Sequence, residues 1–212
     1  MNFMKISEGV NVGPLMCELL CQPNLWGKNP CRLSKRGPHY ETTDIFLRGK
    51  DETENHKTGD WSNFSDPHIP EWYKASDYLP SARPIIFDLM RRFESGMLGG
   101  VYIYKVEPGQ KIYPHIDKGW HPAFYDKFNV CLQSNPEAAF CYDGERLVQK
   151  AGDVHWFRND VNHWVVNEGQ NDHIVMIVCL RLDNGYRVPF SPEGWTMDKF
   201  LDERDAKCQQ VG

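Results

Sequence analysis

Residues 101–117 read VYIYKVEPGQKIYPHID, two apolar runs on either side of a Glu-Pro-Gly-Gln turn. The runs Val101–Val106 and Lys111–Asp117 have the length and composition of β-strands, and the turn between them is typical of an antiparallel connection. Short strands continue to residue 182, with turn residues about every eight to twelve positions. This pattern predicts a mainly β antiparallel sandwich or barrel. Its further strands are Lys127–Gln133, Ala138–Tyr142, Arg146–Lys150, Val154–Phe157, His163–Asn167 and His173–Leu182.

The rest of the chain predicts flanking elements. We expect a strand at Asp44–Arg48, followed at residues 49–60 by a solvated polar loop that could instead close over a site. Pro84 suits the first turn of a helix that Gly96 can end, with apolar residues at helical spacing between them. These are Ile86, Leu89, Met90 and Phe93. Two further helices are expected at about Leu15–Leu20 and Pro192–Ala206.

Length and charge bound the class of protein. The 212 residues suit one domain, 1–212, with a core at about 100–183 behind an N-terminal extension, 1–99. The net charge of −5, without a Lys/Arg run longer than a pair, disfavours a nucleic-acid partner. Charge interrupts the N-terminus before a signal-peptide apolar block develops, and no apolar run reaches membrane-spanning length. We therefore expect a cytoplasmic protein without a membrane partner.

The seven cysteines favour reduced thiols. Their odd number fits a reducing cytoplasm better than a disulfide framework. Cys17 and Cys21, with Cys31 further along, could indicate a zinc site, but no second close Cys/His pair follows at the usual spacing. Buried thiols are the default interpretation.

A metal constellation stands out in the strand region. His115 and Asp117 are two residues apart, so on a strand both would point to the same face. His163 follows 48 residues later at the start of another predicted strand. Two histidines and one carboxylate form the facial triad that leaves positions open on iron(II), unlike a closed four-ligand zinc site. The pair alone is weak evidence, because a His-x-Asp on a strand also arises by chance.

Three segments carry a resemblance: TDIFLR at 43–48, VEPG at 106–109 and GDVHWFRNDVNHWVVNEG at 152–169. With the His-x-Asp pair, they resemble the aspartyl/asparaginyl β-hydroxylase-like branch of the iron(II)/2-oxoglutarate dioxygenases, over roughly residues 26–183. The resemblance implies a double-stranded β-helix (a jelly-roll or cupin-like barrel) that uses Fe(II), 2-oxoglutarate and O2. It also implies that His115, Asp117 and His163 bind the metal.

The chain differs from the pattern of this branch at one position. Ten residues after the distal histidine, the branch has an arginine for the far carboxylate of 2-oxoglutarate, and this chain has His173. Histidine is a weaker donor whose charge depends on pH. Lys127 corresponds to a second basic residue of the branch, and Asn129 and Cys131 share its strand face. These four residues are the predicted cosubstrate-binding set, with Arg158 and Arg181 as reserves that are more often surface or ion-pair arginines.

Four residues are candidate substrate contacts. Arg48 looks like a carboxylate contact, with a plain strand-end charge as the alternative. Tyr113 would share the face of His115, unless its ring only packs. Trp120 and Trp164 flank the ligands and could form an aromatic wall.

The expected activity is hydroxylation of a C–H bond in an amino acid or in an amino-acid residue of a protein. Three alternatives remain open. A cupin-like barrel could use the same triad for non-oxidative chemistry or ligand binding, and a structural module would need no metal. A nucleic-acid demethylase is weakened by the acidic charge balance.

Overall fold

The computed structural model describes residues 2–27, 37–63, 69–118 and 120–182. Its strands are β1 Phe3–Ser7, β2 Thr43–Gly49, β3 Glu71–Trp72, β4 Leu98–Val106, β5 Lys111–His115, β6 Asp126–Gln133, β7 Ala138–Tyr142, β8 Glu145–Leu147, β9 Val154–Phe157, β10 His163–Asn167 and β11 His173–Leu180. Its helices are α1 Gly13–Cys21, α2 Thr53–Thr58, α3 Ala75–Tyr78, α4 Ala82–Arg92 and α5 Trp120–Phe124. Within these ranges no helix is long and apolar enough to cross a membrane.

The strands form two antiparallel sheets. A seven-stranded sheet has the order β1-β9-β6-β11-β4-β2-β3, and a four-stranded sheet has the order β5-β10-β7-β8. From β4 onward the chain crosses repeatedly from one sheet to the other, and only β7 and β8 follow each other in the same sheet. This alternation is the double-stranded β-helix, so the predicted fold class is confirmed.

The apolar residues divide into two layers according to strand alternation. Val175, Ile177 and Cys179 of β11 join residues of the four-stranded sheet in a cluster between the sheets. The intervening β11 residues, Met176 and Val178 among them, pack on the other side with α1 and α4. All eight residues of β11 are buried, as expected for a central strand covered on both faces. The space between the sheets is called the interior below.

Several element boundaries differ from the predictions. The polar stretch 49–60 contains α2: Asp51 accepts hydrogen bonds from the Thr53 amide and hydroxyl, Glu54 pairs with Lys57, and Gly59 ends the helix at φ 73°. Such local polar contacts support a turn of helix without apolar periodicity. The predicted helix at Pro192–Ala206 lies outside the described residues.

The segment predicted as an N-terminal extension supplies three strands of the larger sheet. β1 pairs with β9, and β2 joins β3 to β4. β1 and α5 were not predicted, and β8 is shorter than the expected strand Arg146–Lys150. A five-residue edge strand such as β1 gives a weak local signal because its partner lies far along the chain.

Candidate metal centre

Three side chains meet at one end of the interior. One ligand atom each from His115, Asp117 and His163 lies within 4.8 Å of the others. His115 and His163 are direct ladder partners on β5 and β10, with ring centroids 4.3 Å apart. Among the described residues, this is the one cluster of His, Cys, Asp and Glu that could hold a metal ion. Cys17 and Cys21 are exposed free thiols outside any such cluster.

A β-bulge aims His115 at this point. His163 pairs with His115 and Val165 pairs with Ile112. Between these two pairs β5 advances by three residues and β10 by only two, so β5 contains one extra residue. Bulges next to functional sites commonly redirect a side chain in this way. The bulge corrects the prediction that Tyr113 shares the face of His115, because strand alternation is broken between them.

Asp117 reaches the centre by a different route from the predicted one. β5 ends at His115, so Asp117 is not on the strand and strand alternation does not place it. Its backbone N–H donates to the Asn159 carbonyl at 3.0 Å, which ties the chain after β5 to the loop before β10. That loop leads into His163, so one backbone contact brings the carboxylate beside both histidines.

Main-chain carbonyls fix the tautomers of both histidines. His115 Nδ1 lies 2.8 Å from the Tyr113 carbonyl oxygen, and His163 Nδ1 lies 2.9 Å from that of Val161. Because a carbonyl only accepts, each Nδ1 carries the proton and each Nε2 keeps a lone pair. Burial lowers the pKa of His163 to about 4. Both features suit neutral imidazoles that bind a cation through Nε2.

Lys127 holds the other side of the carboxylate. Its Nζ donates to Asp117 Oδ2 at 2.6 Å, while Asp117 Oδ1 lies 3.6 Å from His115 Nε2. Burial acts to raise the pKa of Asp117, but the charge of Lys127 outweighs it and holds this pKa below its usual value. Asp117 therefore stays ionised, with Oδ1 directed at the centre. Lys127, predicted to bind the cosubstrate, contacts Asp117 in this structure.

Further into the interior, polar atoms are buried without partners. Asn129 and Cys131 lie on the inner face of β6, because Phe128, Val130 and Leu132 pack on the outer face. Asn129 is 1% exposed, and both its amide oxygen and nitrogen lack a hydrogen-bond partner. Burial raises the pKa of Cys131 to about 12, so it remains a thiol.

His173 occupies the far end of the interior. It is 1% exposed, its Nδ1 lies 3.0 Å from Ser134 Oγ, and its Nε2 has no partner. Burial lowers its pKa to about 4, so the imidazole is neutral at pH 7. The two reserve arginines are engaged elsewhere. Arg158 forms a double hydrogen bond with Asp160, and Arg181 donates to the Phe124 carbonyl.

The candidate substrate contacts separate in the structure. The sheet register places Arg48 opposite Val101, at the same end of the larger sheet as Lys127, with its guanidinium 5.3 Å from the Trp72 ring. Tyr113 instead stacks on Tyr40 and donates to Glu41, the packing alternative.

The tryptophans give no aromatic wall in the described structure. Trp164 pairs with Cys141 in the four-stranded sheet and is adjacent to the inward His163 and Val165. By strand alternation it therefore faces away from the interior. The Trp120 side chain lies outside the described part of the chain.

Sequence reasoning missed two residues, one beside the centre and one at the far end of the interior. His39 packs its ring edge-to-face on His115 at 4.9 Å, and Ser134 contacts His173. Neither residue stands in a periodic or motif-like context. Only the tertiary fold brings them to the site, so no local signal could have found them.

No protein-family profile and no curated protein matches the chain. Similar solved structures include an oxidoreductase of the 2OG-Fe(II) oxygenase family from Burkholderia pseudomallei, with 10% identity, a TM-score of 0.49, and coverage of 70% of this chain and 72% of that one. For the viral collagen prolyl hydroxylase of Paramecium Bursaria Chlorella virus-1, the identity is 11%, the TM-score 0.47 and the coverage 86% and 97%. A Klebsiella pneumoniae protein with a double-stranded β-helix domain is 24% identical, with a TM-score of 0.32 and coverage of 41% and 70%. Function has to be argued from the site, because folds of this kind host many activities.

The donor set suits iron(II). Two neutral imidazole nitrogens and one carboxylate oxygen are the ligands of non-haem iron(II) centres, and three protein ligands leave positions free for small molecules. The unpartnered amide of Asn129 and Nε2 of His173 suit a polar guest that extends from the metal into the interior, since buried polar groups are normally hydrogen-bonded.

Proposed function

We propose that the protein is an Fe(II)- and 2-oxoglutarate-dependent oxygenase that hydroxylates a C–H bond. The convergence of His115, Asp117 and His163, with both Nε2 atoms left as lone-pair donors, is the observation that carries this proposal. Fe(II), 2-oxoglutarate and O2 together supply the oxidising power for such a reaction. Triad residues of this kind act by holding the cation, and none has to be a nucleophile.

The remaining residues of the site bind, orient and exclude water. Lys127 keeps Asp117 ionised and fixes its orientation. Asn129 and His173 would hold 2-oxoglutarate through their unpartnered atoms, with Cys131 lining the same face. Phe140 stacks on the His163 ring at 5.5 Å and covers one face of it, which would limit the access of water from that side.

The proposed substrate is an amino acid or an amino-acid residue in a protein. Arg48 supports it, because its guanidinium is at the metal end of the larger sheet and has no carboxylate partner among the described residues. A planar guanidinium binds a carboxylate through two hydrogen bonds. Its contact with the Trp72 ring would hold it in place for that task.

A cupin-like barrel with non-oxidative or ligand-binding function is the second candidate. One observation favours it: both reserve arginines are engaged elsewhere, so neither provides the expected permanent clamp for a dicarboxylate. Such a protein would bind the metal through the same three residues but would not consume 2-oxoglutarate.

The test combines metal binding with cosubstrate turnover. We expect the wild-type protein to bind one Fe(II) and to convert 2-oxoglutarate to succinate only with oxygen, faster when pooled amino acids or peptides are added. His163→Ala should lose the metal and the turnover while remaining folded. Ser76→Ala is the control, because Ser76 is also buried but lies on α3, which packs outside the interior. Retained iron in His163→Ala would refute the metal assignment, and metal binding without succinate would favour the cupin-like candidate.

A further inference from the structure

The inner face of the larger sheet offers neutral donors rather than charge. On β6 and β11, the described inward side chains include one cation, Lys127, which is bound to Asp117. Deeper along the same face are Asn129, Cys131 and His173, all neutral at pH 7 according to their side-chain chemistry or pKa shifts. A carboxylate that enters this region therefore meets no permanent positive charge on either strand.

Lys127 and His173 are too far apart to serve the same carboxylate. Lys127 lies opposite Cys179 on β11, six residues from His173 along that strand. Six residues of strand span about 20 Å. Lys127 lies at the metal end of the interior. His173 lies beyond Asn129 and Cys131, at the opposite end, where β4 and β6 finish and β11 begins.

The surroundings of His173 contain no charged group that acts on it. β4 presents Tyr104, with the two ring centroids 6.3 Å apart, and β6 presents Cys131. At the end of β6, the Gln133 main chain and the Ser134 hydroxyl contact the imidazole. The four-stranded sheet has His163 and Tyr142 as inward titratable residues, and these are paired at the opposite end of β10. Neighbouring Asp172 is paired with Lys105, which also binds Glu107.

We propose that His173 Nε2 binds the far carboxylate of 2-oxoglutarate together with one proton taken up from solvent. This inference rests on the proposed function, since it concerns the cosubstrate of that same site. The Gln133 main chain also bonds the imidazole, and since Nε2 has no partner, Nδ1 is the atom that donates to this carbonyl. Nε2 therefore keeps a lone pair, and it can hold a carboxylate only after it gains a proton. The transferred proton makes the imidazole–carboxylate pair neutral overall, so no uncompensated charge is buried.

The pKa of His173 determines how the binding of 2-oxoglutarate should depend on pH. The free imidazole is neutral at pH 7 because burial lowers its pKa to about 4, and a bound carboxylate raises that pKa by favouring the charged form. Binding then takes up close to one proton at pH 7. The dissociation constant for 2-oxoglutarate should rise about tenfold per pH unit while the bound pair remains protonated.

Calorimetry tests this directly. 2-Oxoglutarate is titrated into the manganese(II)-loaded protein at pH 7 in phosphate and in Tris, whose ionisation enthalpies differ. Manganese replaces zinc because zinc lowers the pKa of bound water to near 7 and could release protons of its own. We expect an uptake of about one proton per ligand in the wild-type protein, and none in His173→Arg, whose guanidinium is permanently charged.

Two further variants keep the outcome clear. In His173→Gln the new side chain is smaller than arginine and fits the buried position more easily. This variant should bind 2-oxoglutarate at least tenfold more weakly and without proton uptake. Ser76→Ala, at a buried residue of α3 that packs outside the interior, should retain the wild-type uptake. Binding without proton uptake, or uptake that persists in His173→Gln, would overturn the inference. So would a Lys127→Met protein that still holds manganese but no longer binds 2-oxoglutarate while His173→Gln binds normally, because the carboxylate would then lie at the metal end. A wild-type protein that binds manganese but no 2-oxoglutarate would refute the proposed function instead.

Discussion

Lys127 is the residue whose role depends most on the metal. It is the partner of Asp117 in a partly buried pair, with side chains 12% and 20% exposed. Lys127→Met leaves this carboxylate uncompensated, and breaking a buried pair costs about 3 kcal/mol. A bound divalent ion supplies the missing charge, so the metal-loaded variant should regain most of that loss. Urea unfolding with and without manganese(II) measures both values.

Lys105→Met provides the comparison for Lys127→Met. Lys105 pairs with Glu107 at 2.9 Å, but Glu107 is 44% exposed. Pairs of this kind contribute up to about 1 kcal/mol, and here the loss should not depend on the metal. If Lys127→Met lost the same stability with and without metal, the lysine would act through packing of its aliphatic stem and not through its charge.

At the residue scale, the three side chains that the sequence predicts as a triad do lie together, but not for the predicted geometric reason. Strand alternation predicts that His115 and Asp117 share a face, yet a bulge aims one and a backbone bond to Asn159 places the other. Spacing can reveal that residues belong together without revealing how. The side chains that contact Lys127 and His173 are determined by the strand register, which cannot be predicted from the sequence alone.

At the element scale, Asn167 joins the connections at the end of the barrel far from the proposed metal site. Its Nδ2 donates to the carbonyls of Val106 and Asn171 at 2.8 Å, and its Oδ1 accepts from Asn135 Nδ2 and the Gly169 N–H. Asn167→Ala would leave several of these groups buried without partners. We expect the free energy of unfolding to fall by about 3 kcal/mol in urea titrations.

Asn11→Ala is the matched control for this element. Asn11 Oδ1 accepts one hydrogen bond from the Gly13 amide at an exposed turn, where water can replace it. Its loss should stay within about 0.5 kcal/mol. Equal effects of the two substitutions would mean that the Asn167 contacts exchange with water and do not hold the connections together.

The sequence predicted most of the central strands because each is an apolar run between turn residues. β4, β6, β7, β9, β10 and β11 fall close to their predicted positions. α2 and β1 were missed because α2 depends on polar contacts between neighbouring side chains and β1 on a partner far away in sequence. Elements with a clear apolar pattern can be predicted from the local sequence. Elements that form only by pairing with distant parts of the chain cannot.

At the scale of the whole molecule, buried neutral histidines link stability to pH. Burial lowers the pKa of His155, His163 and His173 to about 4, against 6.5 in an unfolded chain. Below pH 6.5 the unfolded state binds protons that the folded state does not. The free energy of unfolding should therefore fall from pH 6.5 toward pH 4, by at most about 1.4 kcal/mol per pH unit for each histidine.

Urea unfolding of the chelator-treated protein between pH 7.5 and 4.5 measures this dependence. His155→Gln removes one of the three groups and should flatten the curve by up to about 1.4 kcal/mol per pH unit. An unchanged slope in that variant would show that other groups govern the acid response.

The pairing of β1 with β9 has a consequence for synthesis of the chain. Phe3 is opposite Phe157, so β1 must wait for a partner that is made about 150 residues later. At ribosomal speeds of roughly 5–20 residues per second, that delay is on the order of ten seconds. During it, Phe3, Met4 and Ile6 have no sheet to join and are available to chaperones or to neighbouring nascent chains. The larger sheet can therefore close at its β1 edge only after most of the barrel has left the ribosome.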